Sequence, residues 1–157
     1  MNYAEFFGSE DSINKLYEEF STAADKEKTT GMGQSPFFDQ PLESYSFFIF
    51  VHDRAKDCLK VDFSSRWSPN LSDVARWCSF LSVRCRVVYE EPGMFIYGYA
   101  DIDEKGNITD RLVDGKWLDK VSYNENEWGD SQYEYEGKQY ESMSDLINKK
   151  YYGENIL

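Results

Sequence analysis

The segment LKVDFSSRWSPNLSDVARWCSFLSVRCRVVYEEPGMFIYGYADI, residues 59–102, decides the architecture of the chain. It opens with Leu59, Val61 and Phe63 alternating with Lys60, Asp62 and Ser64, the period-two pattern of a half-buried strand. Pro69 then prepares a helix, Ser72 supplies an N-cap, and Val74, Ala75, Trp77, Cys78 and Leu81 fall on the inward side. Val83, Cys85, Val87 and Tyr89 alternate with Arg84, Arg86 and Val88 as a further strand. Pro92-Gly93 makes a tight turn into a strand over residues 94–102. That strand carries Phe95, Tyr97 and Tyr99 on one face, and Gly98 interrupts the other.

Upstream, Tyr45-Ser46-Phe47-Phe48-Ile49-Phe50-Val51 has the composition of a buried strand. The central block therefore reads strand, strand, helix, strand, strand, its last two strands forming a hairpin. The economical solution is α+β, an antiparallel sheet with helices on one face. Before it, Ser9 caps a helix over residues 10–25 whose apolar face is Ile13, Leu16, Tyr17, Phe20 and Ala24. Residues 26–44 read as a loop, broken by Pro36 and Pro41 and pinned to the body by Phe37 and Phe38. After the block, residues 108–113 extend the sheet and Gly115 to Asp130 show weak periodicity. Tyr133 to Tyr140 form a hairpin turning near Gly137. Ser142 or Ser144 caps a last helix with Leu146, Ile147 and Tyr151. A chain of 157 residues with this pattern is one domain, 1–157, with its core at 45–113 and an extension at 114–157.

Trp67-Ser68-Pro69 between a strand and a helix, followed by Tyr89-Glu90-Glu91-Pro92-Gly93 and Gly98, resembles the YubB-like ferredoxin-like domain family of plasmid and bacteriophage proteins. The likeness covers residues 59–100, and Asn70 stands where that family usually carries a second proline. The resemblance implies a ferredoxin-like core and a mobile-element origin, and it brings no catalytic residues. In this context Trp67 is expected to be a buried anchor whose loss costs about 3–5 kcal/mol.

Charge is sorted along the chain. Aspartate and glutamate number 29 against 17 lysines and arginines. Residues 1–25 hold six acids and one base, a net of −5; residues 26–100 hold nine of each; residues 101–157 hold fourteen acids and seven bases, a net of −7. Such a field attracts basic proteins and repels nucleic acid and anionic membranes. The 17% aromatic content excludes global disorder. No run of about 18 apolar residues is present, and residues 1–5 lack the basic and apolar regions of a signal peptide. The expectation is a soluble protein of a bacterial cytoplasm.

Motifs for chemistry are sparse. Asp101-x-Asp103-x-Lys105-Gly106 resembles the start of a calcium loop, but Lys105 and Leu112 occupy ligand positions, so it reads as a hairpin turn. The cysteines Cys58, Cys78 and Cys85 are odd in number and read as small reduced core residues. The single histidine, His52, reads as a strand-end residue and cannot furnish a histidine-based zinc site. No cofactor and no metal are expected. The basic residues Arg54, Lys56, Lys60, Arg66, Arg76, Arg84 and Arg86 are matched by acids, so the footprint of a nucleic-acid binder is missing.

The candidate site is the acidic, aromatic C-terminal third. Trp117, Tyr123, Trp128, Tyr133, Tyr135 and Tyr140 interleave with Asp119, Glu125, Glu127, Asp130, Glu134, Glu136 and Glu141. Aromatics hold interfaces and acids select a basic partner. The expected partner-binding residues are Asp119, Glu125, Glu127, Trp128, Asp130, Tyr133, Glu134, Tyr135 and Glu136; the alternative places the rings over the sheet with the acids solvated. Three functions follow in order. The first is a non-enzymatic inhibitor occupying a basic, nucleic-acid-binding groove of a host protein, as an antirestriction or anti-CRISPR nucleic-acid mimic does. The second is an accessory ferredoxin-like domain without that role, and the third a metal-assisted hydrolase. The odd cysteine count and the broken calcium loop predict that chelator and reductant leave the unfolding temperature unchanged. A large drop with EDTA would restore the calcium reading.

Overall fold

The computed structural model describes residues 1–38, 45–66 and 68–153. Its first element is β1 (Asn2–Phe7), followed by α1 (Glu10–Thr30), β2 (Phe47–Arg54), β3 (Cys58–Ser64), α2 (Leu71–Leu81) and β4 (Arg84–Glu91). These pair in the order β2-β3-β1-β4, all antiparallel. α1 thus carries the chain from β1 to β2 with β3 inserted between them, and α2 carries it from β3 to β4. This is the split β-α-β arrangement of ferredoxin-like folds. β5 (Ile96–Ile102) and β6 (Ile108–Leu112) continue the sheet beyond β4. The α+β class and the strand-strand-helix-strand-strand run expected from residues 45–102 are present as β2, β3, α2, β4 and β5.

One face of the sheet carries the main core. Ala4 and Phe6 of β1, Leu59, Val61 and Phe63 of β3, and Cys85 and Val87 of β4 meet Ile13, Leu16 and Phe20 of α1 and Val74, Trp77 and Cys78 of α2. Phe20 is central, with ring centroids 5.8 Å from Phe6, 6.3 Å from Phe63 and 5.5 Å from Trp77. Phe37 and Phe38 pin their loop as expected, Phe37 lying 5.9 Å from Trp77 and Phe38 beneath the Arg76 guanidinium at 4.6 Å. All three cysteines are buried free thiols.

The structure corrects several boundaries. β1 occupies residues to which the sequence reading gave no element. α1 continues past Asp25 to Thr30, so residues 26–30 are helix rather than loop. Gly31 ends it in the left-handed region at φ 67, its N–H bonding Glu27 O, where glycine carries no Cβ penalty. The extra turn is held from outside, because the Glu27 carboxylate accepts from the Phe48 and Ile49 amides at 2.6 and 3.0 Å. β2 is an edge strand rather than a buried one. Ile49 turns inward, while Phe48 (75%) and Phe50 (60%) face solvent beside a bulge. The N-cap of α2 is Asn70 rather than Ser72. Asn70 sits at φ 49, which asparagine tolerates and proline cannot adopt. Trp67 and residues 39–44, including Pro41, lie outside the described residues.

The extension folds onto the opposite face. α3 (Gly115–Leu118) leads into a three-stranded antiparallel sheet of β7 (Ser122–Glu125), β8 (Ser131–Tyr135) and β9 (Lys138–Tyr140), and α4 (Met143–Tyr152) closes the chain. Val88, Val113, Trp117, Met143, Leu146 and Ile147 form a second core there. Tyr99 of β5 stacks on Tyr151 of α4 at 4.2 Å, and the Arg86 guanidinium lies 4.6 Å over Tyr152. Ser142 caps α4, accepting from Asp145 N at 3.0 Å, as its position predicted. No helix among the described residues is long and apolar enough to cross a membrane.

Gly98 has a steric reason to be glycine. It pairs with Tyr89, whose ring lies over it while its hydroxyl donates to Asp110 at 2.7 Å. A Cβ at residue 98 would fall far inside van der Waals contact with that ring. Gly98→Ala is therefore expected to cost about 1–3 kcal/mol in urea unfolding through overpacking. A variant as stable as the parent would show that Tyr89 moves aside freely.

Candidate functional site

The period-two geometry of β8 sorts acid from aromatic. Tyr133 and Tyr135 turn toward the body while Glu134 faces solvent, and Glu136, in the turn after β8 at φ 50, is exposed too. Tyr135 packs against Trp117 at 5.4 Å, and the Lys150 ammonium sits 5.2 Å over its ring. Of the expected partner-binding residues, Tyr135 is thus an inward-facing packing residue. Tyr133 is half-buried beside Tyr123, its cross-strand partner, at 5.3 Å.

The turn between β7 and β8 presents the next group. The Asn126 side-chain oxygen accepts from the Trp128 and Asp130 amides at 2.9 and 2.8 Å, and its Nδ2 donates to Asp130 Oδ2 at 3.0 Å. Gly129 N bonds Asn126 O at 3.0 Å. This bonded turn holds Trp128 outward at 88% exposure, between exposed Glu127 and Asp130, with Glu125 exposed at the end of β7. Residues 121–136 carry Glu125, Glu127, Asp130, Glu134 and Glu136 and no lysine or arginine.

Where the small sheet meets β5, a groove of about 460 Å³ opens. Phe95 and Tyr97 form one wall, Leu118 and Val121 another, and Tyr123 and Tyr133 a third, with Met143 and Gly115 lining it as well. Asp119, an expected site residue, stands in the same lining. Burial pushes the Tyr97 and Tyr133 hydroxyls up, and the charge of Glu90 adds to both. The rings therefore remain neutral donors at any physiological pH. Phe95 enters this region at φ 53 and 81% exposure, with Met94 exposed beside it. Sequence reading finds the acids and Tyr133 but misses this groove. Its walls come from separated segments, and Phe95, expected on the strand over residues 94–102, lies in the turn before β5.

A second concavity, of about 230 Å³, lies between the other end of the sheet and α4, lined by Tyr3, His52, Asp62, Glu90 and Asp145 among others. His52 Nε2 is 2.6 Å from Asp62 Oδ2, so the lone histidine is satisfied at its strand. Burial raises the Glu90 carboxyl, and nearby Asp62 adds to this. Next to the cleft, Glu5 is 2% exposed; it accepts from the Tyr3 hydroxyl at 2.8 Å and lies 4.0 Å from Lys60 Nζ. The former calcium-loop residues have other partners. Asp103 accepts from Lys105 N, Asn107 N and Asn107 Nδ2 and so closes the β5–β6 turn. These bonds hold the Asp103 carboxyl below its ordinary range, the Asn107 side chain contributing most. Asp101 pairs with Arg86 and Arg111. Among the described residues no three histidine, cysteine or carboxylate groups converge as metal ligands.

No curated protein and no solved structure matches the chain. The family is shown by the sequence, over residues that include β2 to β4 of the ferredoxin-like sheet. Residues 46–142, more than half of the chain, match the model of the ferredoxin-like domain in Api92-like protein, and the chain belongs to that family.

Proposed function

We propose that this protein is a non-enzymatic interaction domain of mobile-element origin. In this reading it binds a basic, nucleic-acid-handling protein of a bacterial host and competes there with nucleic acid. The observation that carries this is the one-signed run of residues 121–136, which holds β7, β8 and the turn between them, Lys138 of β9 lying beyond it. Glu125, Glu127, Asp130, Glu134 and Glu136 project to solvent around an exposed Trp128, with no basic side chain between residues 121 and 136. Carboxylates strung along an exposed strand and turn imitate the charge of a phosphate backbone, and an outward tryptophan supplies contact area at low entropic cost. The net charge of −12 opposes direct binding to DNA or RNA and to anionic membranes.

Two steps test the reading. Proteins captured from a bacterial lysate and identified by mass spectrometry are expected to be basic nucleic-acid binders that duplex DNA displaces. With the purified partner, replacing Glu125, Glu127, Glu134 and Glu136 by glutamine is expected to slow association about 10–100-fold at low salt and to flatten its salt dependence. Tight, salt-sensitive binding of the free protein to nucleic acid would overturn the proposal, as would a partner whose contact surface is acidic.

A further inference from the structure

The apolar groove between β5, α3 and the small sheet is floored by side chains packed on the second core, while Phe95 and Tyr123 on its walls stay exposed, and its chemistry names an occupant. Six side chains line it with hydrocarbon and ring surface: Phe95, Tyr97, Leu118, Val121, Tyr123 and Tyr133. Its volume of about 460 Å³ falls in the range of about 300–1,000 Å³ typical of ligand clefts. Its outer walls are left in water. Phe95 is 81% exposed and Tyr123 54% exposed, a concentration of large apolar side chains that marks an interaction surface.

The rim is acidic where the floor is apolar. Tyr123 and Glu125 share one face of β7, which follows directly on Val121, so the wall that begins with valine and tyrosine ends in a carboxylate. Asp119 lines the groove, and Glu127 and Asp130 follow in the adjoining turn. We infer that this groove receives a peptide segment of the partner in which one large apolar side chain is flanked by lysine or arginine. The apolar side chain fills the cleft between the phenylalanine and tyrosine walls. The flanking cations meet Asp119 and Glu125 at its lip, where charge-assisted contacts fix register. The inference takes the sign of the partner from the proposed function. It adds a discrete recognition site, distinct from the outward face of Glu134 and Glu136.

The test uses the full chain, labelled with 15N, and three synthetic peptides. One has a tryptophan flanked by lysines and arginines, one has alanine in place of that tryptophan, and one has glutamate in place of every basic residue. The first peptide is expected to shift the amides of Tyr97, Leu118, Val121, Tyr123 and Tyr133. The alanine peptide is expected to bind at least about tenfold more weakly, and the glutamate peptide not to bind. Gly115 provides the matching variant. It lines the groove, and a Cβ there meets no atom within 4 Å. Gly115→Leu therefore adds bulk at the groove lining from a Cβ that has open space, and is expected to weaken the tryptophan peptide at least about tenfold, with its urea unfolding curve measured alongside to show that the fold is kept.

Equal affinity of the folded Gly115→Leu protein overturns the inference, as do shifts confined to another surface. Concentration-dependent shifts without peptide would assign the groove to a second copy of this chain and overturn it equally. The two proposals separate cleanly. If glutamine substitution slows association with the natural partner but Gly115→Leu leaves its dissociation rate unchanged, the groove inference fails alone. If the tryptophan peptide docks in the groove while the natural partner proves acidic, the proposed function fails, and the groove stands as a peptide site of another use.

Discussion

β1 hydrogen-bonds to β3 on one side and to β4 on the other, and the rest of the molecule is arranged around that double pairing. Without it the β2–β3 hairpin and the β4–β5–β6 meander share no ladder. With it, Ala4 and Phe6 stand at 0% exposure beneath both long helices. The polar residues of β1 are fastened as firmly. Asn2 donates to Phe63 O and to Ser65 Oγ, and Glu5 takes the Tyr3 hydroxyl with Lys60 nearby. A buried carboxylate in a sheet tolerates few alternative registers, because a one-residue slip would carry Glu5 into the main core and Phe6 out of it. Register at β1 therefore fixes register across the sheet.

That register also positions the site. Because β4 is buried on both faces, Val87 can serve the core beneath the two long helices while Val88 serves the one beneath α4. The second core then anchors α4 through Tyr99 on Tyr151 and Tyr152 O–H donating to Ala100 O at 3.2 Å. Trp117 joins the same core and connects α3 and β8 to it. The groove is the gap left where this second layer meets the free end of β5. Its shape is thus a consequence of how the extension docks, with Asp119 in its lining.

What the sequence discloses and what it conceals follow from the same physics. Leu59 to Phe63 and Arg84 to Val87 are legible because the main core buries one side of each in alternation, and Val88 and Tyr89 are covered as well because β4 has a second layer on its other face. β1 is not legible, because Asn2 and Glu5 are polar yet buried, and Ala4, Glu5 and Phe6 in succession are all covered. β2 has the aromatic composition of an interior strand, but composition cannot say that the sheet ends there. The last turn of α1 is written in lysine, glutamate and threonine, and only the pairing of Glu27 with the β2 amides shows why it persists. α3 is a single turn beginning at a glycine and capped by Asp114, too short for periodicity to register. At the site, the acids and Trp128 are readable as exposed because nothing apolar flanks them at the right period. Tyr135 is not, since the ring that covers it, Trp117, lies in another element.

The small sheet resolves a conflict that an acidic binding surface ordinarily meets. Carboxylates packed among aromatics lose hydration, and burial raises the cost of keeping them charged. In β8 the strand period removes the difficulty. Tyr133 and Tyr135 lie under the sheet and Glu134 between them stays in water, as does Glu136 in the turn beyond the strand. Charge then acts at a distance, governing encounter and its salt dependence, while apolar contact is confined to the groove and to Trp128. In β8 the groove residue Tyr133 and the carboxylate of Glu134 lie on opposite faces. Each can therefore change by substitution without disturbing the other, so a partner can be attracted by one surface and retained by another.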